Sequence, residues 1–137
     1  MSRTARRLLW YWGPLVGYAA VIFALSAMKH PPVPVPRFPH ADKVLHMIEY
    51  SGLGFLLCRG LAMGRHGLAP SMALLSATLL GALYGASDEL HQLMVPGRSA
   101  SVLDLAADVV GTALGGLAYW LLYLRQVAVA GGRSAAD

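Results

Sequence analysis

At 137 residues, 56% hydrophobic and only 13% charged, with a mean hydropathy of +0.53, the chain falls outside the composition of ordinary water-soluble domains. It reads as one small integral membrane domain over residues 1–137. The formal net charge of +4 is scattered over termini and loops without an aromatic-interleaved basic patch, which argues against a nucleic-acid partner. The lone cysteine, Cys58, has no partner for an intrachain disulfide and reads as a small core residue.

Apolar runs at residues 8–28, 44–61, 68–86 and 102–124 each approach the ~20 residues a bilayer core demands, predicting an all-α bundle of four transmembrane helices. The first run opens on Trp10, Tyr11 and Trp12 and the last ends near Tyr119, Trp120 and Tyr123, amphipathic rings that favour one and the same membrane interface. Seven basic residues (Arg3, Arg6, Arg7, Arg59, Arg65, Arg125, Arg133) belong to that side, against Lys29, Arg37, Lys43 and Arg98 on the other. This bias predicts that both termini are cytoplasmic. A cleaved signal peptide over residues 3–26, with Ala24 and Ser26 before the cut, is the rival reading; the length of the run and its anchoring aromatics argue against it.

The outer loop at 30–41 carries five prolines between His30 and Pro39, which rule out helix and predict an extended, polyproline-like strap. A spacer between helices one and two fits it better than a PxxP ligand, because the domains that read such ligands are intracellular.

Helix two opens with Asp42, a carboxylate able to cap the first turn, followed by Lys43. His46, Glu49 and Tyr50 follow at spacings of three and four, on one face. Tyr50 reads equally as an interfacial ring. Glu49 lies about 10 Å along the axis from the helix start, where no cap or loop role explains a carboxylate. A matching stripe on helix three runs Gly81, Tyr84 or Gly85, Asp88 and His91, and one on helix four runs Asp104, Asp108, Gly111 and Gly115. Small residues four apart, Gly81 with Gly85 and Gly111 with Gly115, allow close backbone approach, so these stripes are expected to face protein. Alternating helix directions then bring all the charged ends to the outer leaflet.

The polar loop at 87–101 joins helices three and four. Glu89 is expected to be solvated, and Pro96-Gly97 to turn the chain. Ser101-x-x-Asp104 has the form of a capping box. Arg98 is expected to fold back over the bundle and pair with acids from two helices, among Glu49, Asp88 and Asp104.

Asp42-Lys43-x-x-His46-x-x-Glu49-Tyr50, followed by Asp88-Glu89-x-x-Gln92-x-x-x-Pro96-Gly97-Arg98-x-x-Ser101-x-x-Asp104-x-x-x-Asp108-x-x-Gly111-x-x-x-Gly115, resembles the VanZ-like family of small bacterial membrane proteins. The resemblance covers residues 42–115, more than half of the chain, and its specificity lies in the combination. It implies a multi-pass protein of the bacterial cytoplasmic membrane with a role in the cell envelope; the family's namesake is associated with low-level resistance to the glycopeptide teicoplanin. Position 108 is often asparagine in this family, whereas here it is Asp108.

Three functions are compatible with these residues. The first is a ligand pocket made by Asp42, Lys43, His46, Glu49, Tyr50, Asp88, Glu89, His91, Gln92, Arg98, Ser101, Asp104 and Asp108. It would take a membrane lipid or a lipophilic glycopeptide, with Lys43 and Arg98 holding an anionic head. The second is a membrane-embedded enzyme acting on a lipid phosphate through a divalent cation, for which His46, Glu49, Asp88, His91 and Asp108 are the candidate ligands. No HExxH, paired-cysteine or marked serine nucleophile supports catalysis, and no other cofactor is expected. The third is a small proton- or cation-linked transporter, for which four helices are few unless the protein is an oligomer.

Overall fold

The computed structural model describes residues 2–29, 32, 38–63 and 67–134, and among them there are four helices and no strand. In chain order they are α1 (Arg3–Ser26), α2 (Ala41–Met63), α3 (Pro70–Gln92) and α4 (Val102–Ser134). The fold class is therefore all-α, as the apolar runs predict. Most of the proline-rich strap (residues 30, 31 and 33–37), the Arg65 turn and the Arg133 side chain lie outside the described residues.

Each helix begins for a local reason. Ser2 caps α1, its Oγ accepting from the Ala5 amide at 3.2 Å. Pro70 occupies the first turn of α3, where no amide donor is needed. The Ser101 Oγ accepts the Asp104 amide at 3.3 Å at the start of α4, which is the expected capping role. Asp42 sits within the first turn of α2 and is exposed.

Pro14 stands inside α1, where its missing N–H frees the Trp10 carbonyl. Arg59 of α2 takes up that carbonyl, its Nη1 donating at 3.3 Å, while the guanidinium lies over the Trp10 and Tyr11 rings at 5.8 and 5.5 Å. The start of α1 and the end of α2 thus share one end of the bundle.

Packing is closest between α2 and α4, where three glycines stand against the backbone of the facing helix. A Cβ on Gly54 would overlap the Thr112 carbonyl oxygen, one on Gly111 the Met47 carbonyl, and one on Gly115 the Ser51 carbonyl. On the α3 side, Gly81 faces the Thr112 side chain and Gly85 the Asp108 carboxylate. The predicted glycine pairs therefore do face protein. Helix α1 lies against the outside of this trio, held by hydrogen bonds from Tyr18 Oη to the Glu49 carbonyl (3.0 Å) and from Tyr84 Oη to the Ala19 carbonyl (2.7 Å).

The apolar core holds Ile22, Leu53, Cys58, Ala73, Ala77 and Tyr119, which gives Cys58 the core role read from the sequence. Tyr50 belongs to this core with no exposed surface. That corrects its reading as an interfacial ring: the face carrying His46 and Glu49 turns inward against α4, and Tyr50 goes with it. Large apolar side chains stay exposed on every helix, including Val16 and Val21, Ile48, Leu79 and Leu83, and Leu121 and Leu122.

Among the described residues two helices, over Thr4–Ser26 and Val102–Val127, are long and apolar enough to cross a membrane. Helices α2 and α3 have the length, but the charges of α2 and the Ser, Thr and Gly content of α3 dilute their apolar character. Helix boundaries also differ from the apolar runs. Helix α3 continues through Asp88 and Glu89 to Gln92, beyond the expected end at 86, because its last polar residues are packed inside the bundle and stay helical. Helix α4 continues past 124 to Ser134.

Candidate polar site at the α1–α4 end of the bundle

Sequential up-and-down connections bring the end of α1, the start of α2, the end of α3 and the start of α4 together, and a cavity of about 400 Å³ opens between them. Ser26, His46, Glu49, Asp88, Gln92, Arg98 and Asp104 contribute to its wall. The polar groups around it fall into three groups.

At the rim, ahead of the apolar run that starts at residue 44, Lys43 bridges two carboxylates, Asp42 at 2.7 Å and Asp104 at 2.5 Å. Burial opposes the charge on the Lys43 ammonium, but the bonds to Asp104 and Asp42 outweigh it and hold Lys43 above its ordinary value. The hydrogen bond from Lys43 in turn lowers Asp42 below the usual carboxylate range.

In the second group, the chain turns at Gly97 with φ of +84°, a left-handed conformation, and the Lys29 side chain fills the place a Cβ would take. The turn delivers Arg98 back over the bundle, as expected, yet not onto a carboxylate. Its Nη2 donates to Gln92 Oε1 at 2.8 Å and its Nη1 to the Met28 carbonyl at 3.2 Å. Gln92 Nε2 then donates to Asp88 Oδ2 at 3.1 Å. The expected direct pairing of Arg98 with Glu49, Asp88 or Asp104 is corrected: Gln92, with 2% of its surface exposed, stands between the guanidinium and Asp88, and Lys43 takes Asp104. Glu49 lines the cavity half-buried, and none of the hydrogen bonds among the described residues fixes its carboxylate.

The third group is built on a pair between α2 and α4: His46 Nδ1 and Asp108 Oδ1 are 2.9 Å apart, and Asp108 has no exposed surface. Glu89 belongs here. Its Oε2 accepts the Ser101 amide at 2.6 Å, and the residue is buried, which corrects its reading as a solvated loop acid. The cause is the extra turn and a half of α3, which carries Glu89 past the expected helix end and under the start of α4.

His91 does not join the acids. Its ring stacks on Phe23 of α1 at 4.4 Å between centroids. From Asp88, a step of three residues rotates the side chain to one side of the stripe and a step of four to the other; Gln92 goes into the site and His91 turns toward α1. Of the expected pocket residues, Tyr50 belongs to the apolar core and Ser101 serves as the cap, while the others except His91 contribute to the three groups.

Several buried polar atoms have no hydrogen-bond partner among the described residues, including Asp88 Oδ1, Glu89 Oε1, Asp108 Oδ2 and Tyr50 Oη. Such groups are rare in folded proteins and ask for a ligand, an ion or a proton.

A sequence model of the family described as VanZ/LLP1 matches residues 7–123, from within α1 to within α4. No curated protein and no solved structure matches the chain. The match takes in all the elements that build the polar site, and by it the chain belongs to the VanZ/LLP1 family.

Proposed function

We propose that this is a multi-pass protein of the bacterial cytoplasmic membrane, with all four helices spanning and both termini cytoplasmic, that binds an amphiphile at the polar cavity and thereby alters susceptibility to glycopeptides. Membership of the VanZ/LLP1 family supports a membrane protein linked to glycopeptide resistance. Two sufficiently apolar helices, the exposed Val44 and Ile48 of α2 and the exposed leucines of α3 and α4 support burial of the whole bundle in lipid. The observation that carries the ligand reading is the cavity of about 400 Å³, whose wall combines the charged Glu49, Asp88 and Arg98 with the apolar Ile22 and Leu25 of α1. Such a wall offers an apolar surface to a tail and charged groups to a head. A membrane lipid and a lipophilic glycopeptide such as teicoplanin both have this form.

Topology is tested by single cysteines in a Cys58→Ser background. An impermeant thiol reagent applied to intact cells is expected to label Val35→Cys and to leave His66→Cys unlabelled. The reverse pattern would place the cavity on the cytoplasmic side and end the envelope reading.

The pocket is tested through charge alone. Glu49→Gln and Asp88→Asn nearly preserve shape, so both proteins are expected to insert at normal levels while the shift in teicoplanin inhibitory concentration conferred by the native protein disappears. Full retention of that shift in both well-expressed variants would reduce the cluster to a structural element.

A further inference from the structure

We propose that His46, Glu89 and Asp108 form a binding site for one first-row divalent cation, of the kind represented by Mn2+ and Zn2+. The three side chains come from α2, α3 and α4, and each offers a ligand-type atom within 4.8 Å of the others. The 2.9 Å between His46 Nδ1 and Asp108 Oδ1 matches one edge of a coordination shell, since two ligands about 2.1 Å from an ion at right angles lie ~3 Å apart.

Geometry of that kind also suits a plain histidine–carboxylate hydrogen bond, so the inference turns on what the hydrogen bond leaves over. Among the described residues, wholly buried Asp108 keeps Oδ2 without a partner, and Glu89, 6% exposed, keeps Oε1 without one. Among the described residues no lysine or arginine lies within ion-pair distance of either carboxylate. Lys43 is taken by Asp42 and Asp104, and Arg98 by Gln92 and Met28. A neutral imidazole with two carboxylates carries two negative charges, which one divalent cation held by an oxygen of each carboxylate balances.

The surroundings are built as outer-shell support. Glu89 is oriented by the Ser101 amide on its other oxygen at 2.6 Å, and the turn that carries Asp108 is braced by Thr112 Oγ1 donating to its backbone carbonyl at 2.8 Å. Gly85 lets α3 come close to the Asp108 carboxylate. The donor set also selects the ion: one imidazole nitrogen with carboxylate oxygens favours Mn2+, Fe2+ or Zn2+ over Mg2+ and Ca2+, which prefer oxygen alone. The cation would tie three helices together behind the cavity wall at His46. The proposal stands whether or not an amphiphile occupies that cavity.

The test uses the purified full chain in detergent, stripped with a chelator and titrated with Mn2+ or Zn2+ without any amphiphile. One ion per chain is expected, with a raised melting temperature, and pulsed electron paramagnetic resonance of the Mn2+ form should show coupling to one imidazole nitrogen. Glu89→Gln keeps an oxygen for the Ser101 amide and removes the charge. Because loss of outer-shell groups alone weakens metal sites about 10–100-fold, Glu89→Gln and Asp108→Asn are each expected to weaken binding by about 100-fold or more. Failure of the stripped native chain to take up either ion, Mn2+ bound without nitrogen coupling, or native affinity in both variants would each overturn the site. Should a variant fail to fold, the nitrogen coupling in the native chain decides alone.

Discussion

Gly115→Leu is expected to cost at least about 3 kcal/mol of stability, the largest effect of any single substitution on the α2–α4 seam. A Cβ at Gly115 would overlap the Ser51 carbonyl oxygen and lie 2.9 Å from the Phe55 amide nitrogen. Both are backbone atoms of the facing helix, which no rotamer change can move aside. Helix α2 would have to withdraw along its length, and with it His46 from Asp108 and Lys43 from Asp104. The chain contains its own control: a Cβ added at Gly13 or Gly17 of α1 would meet nothing within 4 Å, so Gly13→Ala and Gly17→Ala are expected to be neutral or to stabilise by roughly 0.5–1 kcal/mol through helix propensity. Equilibrium unfolding in mixed micelles measures both. A Gly115→Leu protein as stable as the Gly13→Ala protein would mean that α2 and α4 do not meet at this glycine.

The sequence foretells the protein-facing stripes of α3 and α4, though not the partner of each, because their cause is local and chemical: glycines four residues apart, continuing stripes of acids, leave few arrangements for the helices that carry them. Helix number, the inward face of α2 and the cap at Ser101 follow from periodicity and side-chain type in the same way. Glu89 escapes such reasoning, which ends α3 where the apolar residues stop. A helix can run on through charged residues when they are buried together, and in α3 Asp88, Glu89 and Gln92 all point into protein. His91 and Gln92 are adjacent on the same polar stretch, and sequence spacing admits either to the site. The choice depends on where α1 packs, through Phe23, which is a tertiary fact. The partner of Arg98 is missed for a different reason. Counting charges matches cations to acids, but it is blind to a neutral amide that can accept from one and donate to the other.

That amide gives the second large expectation. Gln92→Leu is expected to cost roughly 3 kcal/mol, more than Arg98→Ala at about 1–2 kcal/mol. Gln92 serves two groups at once, accepting from Arg98 at 2.8 Å and donating to Asp88 at 3.1 Å. Asp88 is 4% exposed, and its Oδ1 already lacks a partner, so losing the Gln92 donor strips its carboxylate of hydrogen bonds within the described residues. Removing Arg98 leaves only the Gln92 oxygen and the Met28 carbonyl unserved, both neutral acceptors that water entering the cavity can reach more cheaply than a buried charge. The two substitutions must therefore be non-additive. In a Gln92→Leu background Arg98 retains only the Met28 carbonyl, and Arg98→Ala is expected to cost about 1 kcal/mol less than in the native chain. Equal costs in the two backgrounds would show that Arg98 acts independently of Gln92. The relay from guanidinium through amide to carboxylate would then be the wrong description of the cavity wall.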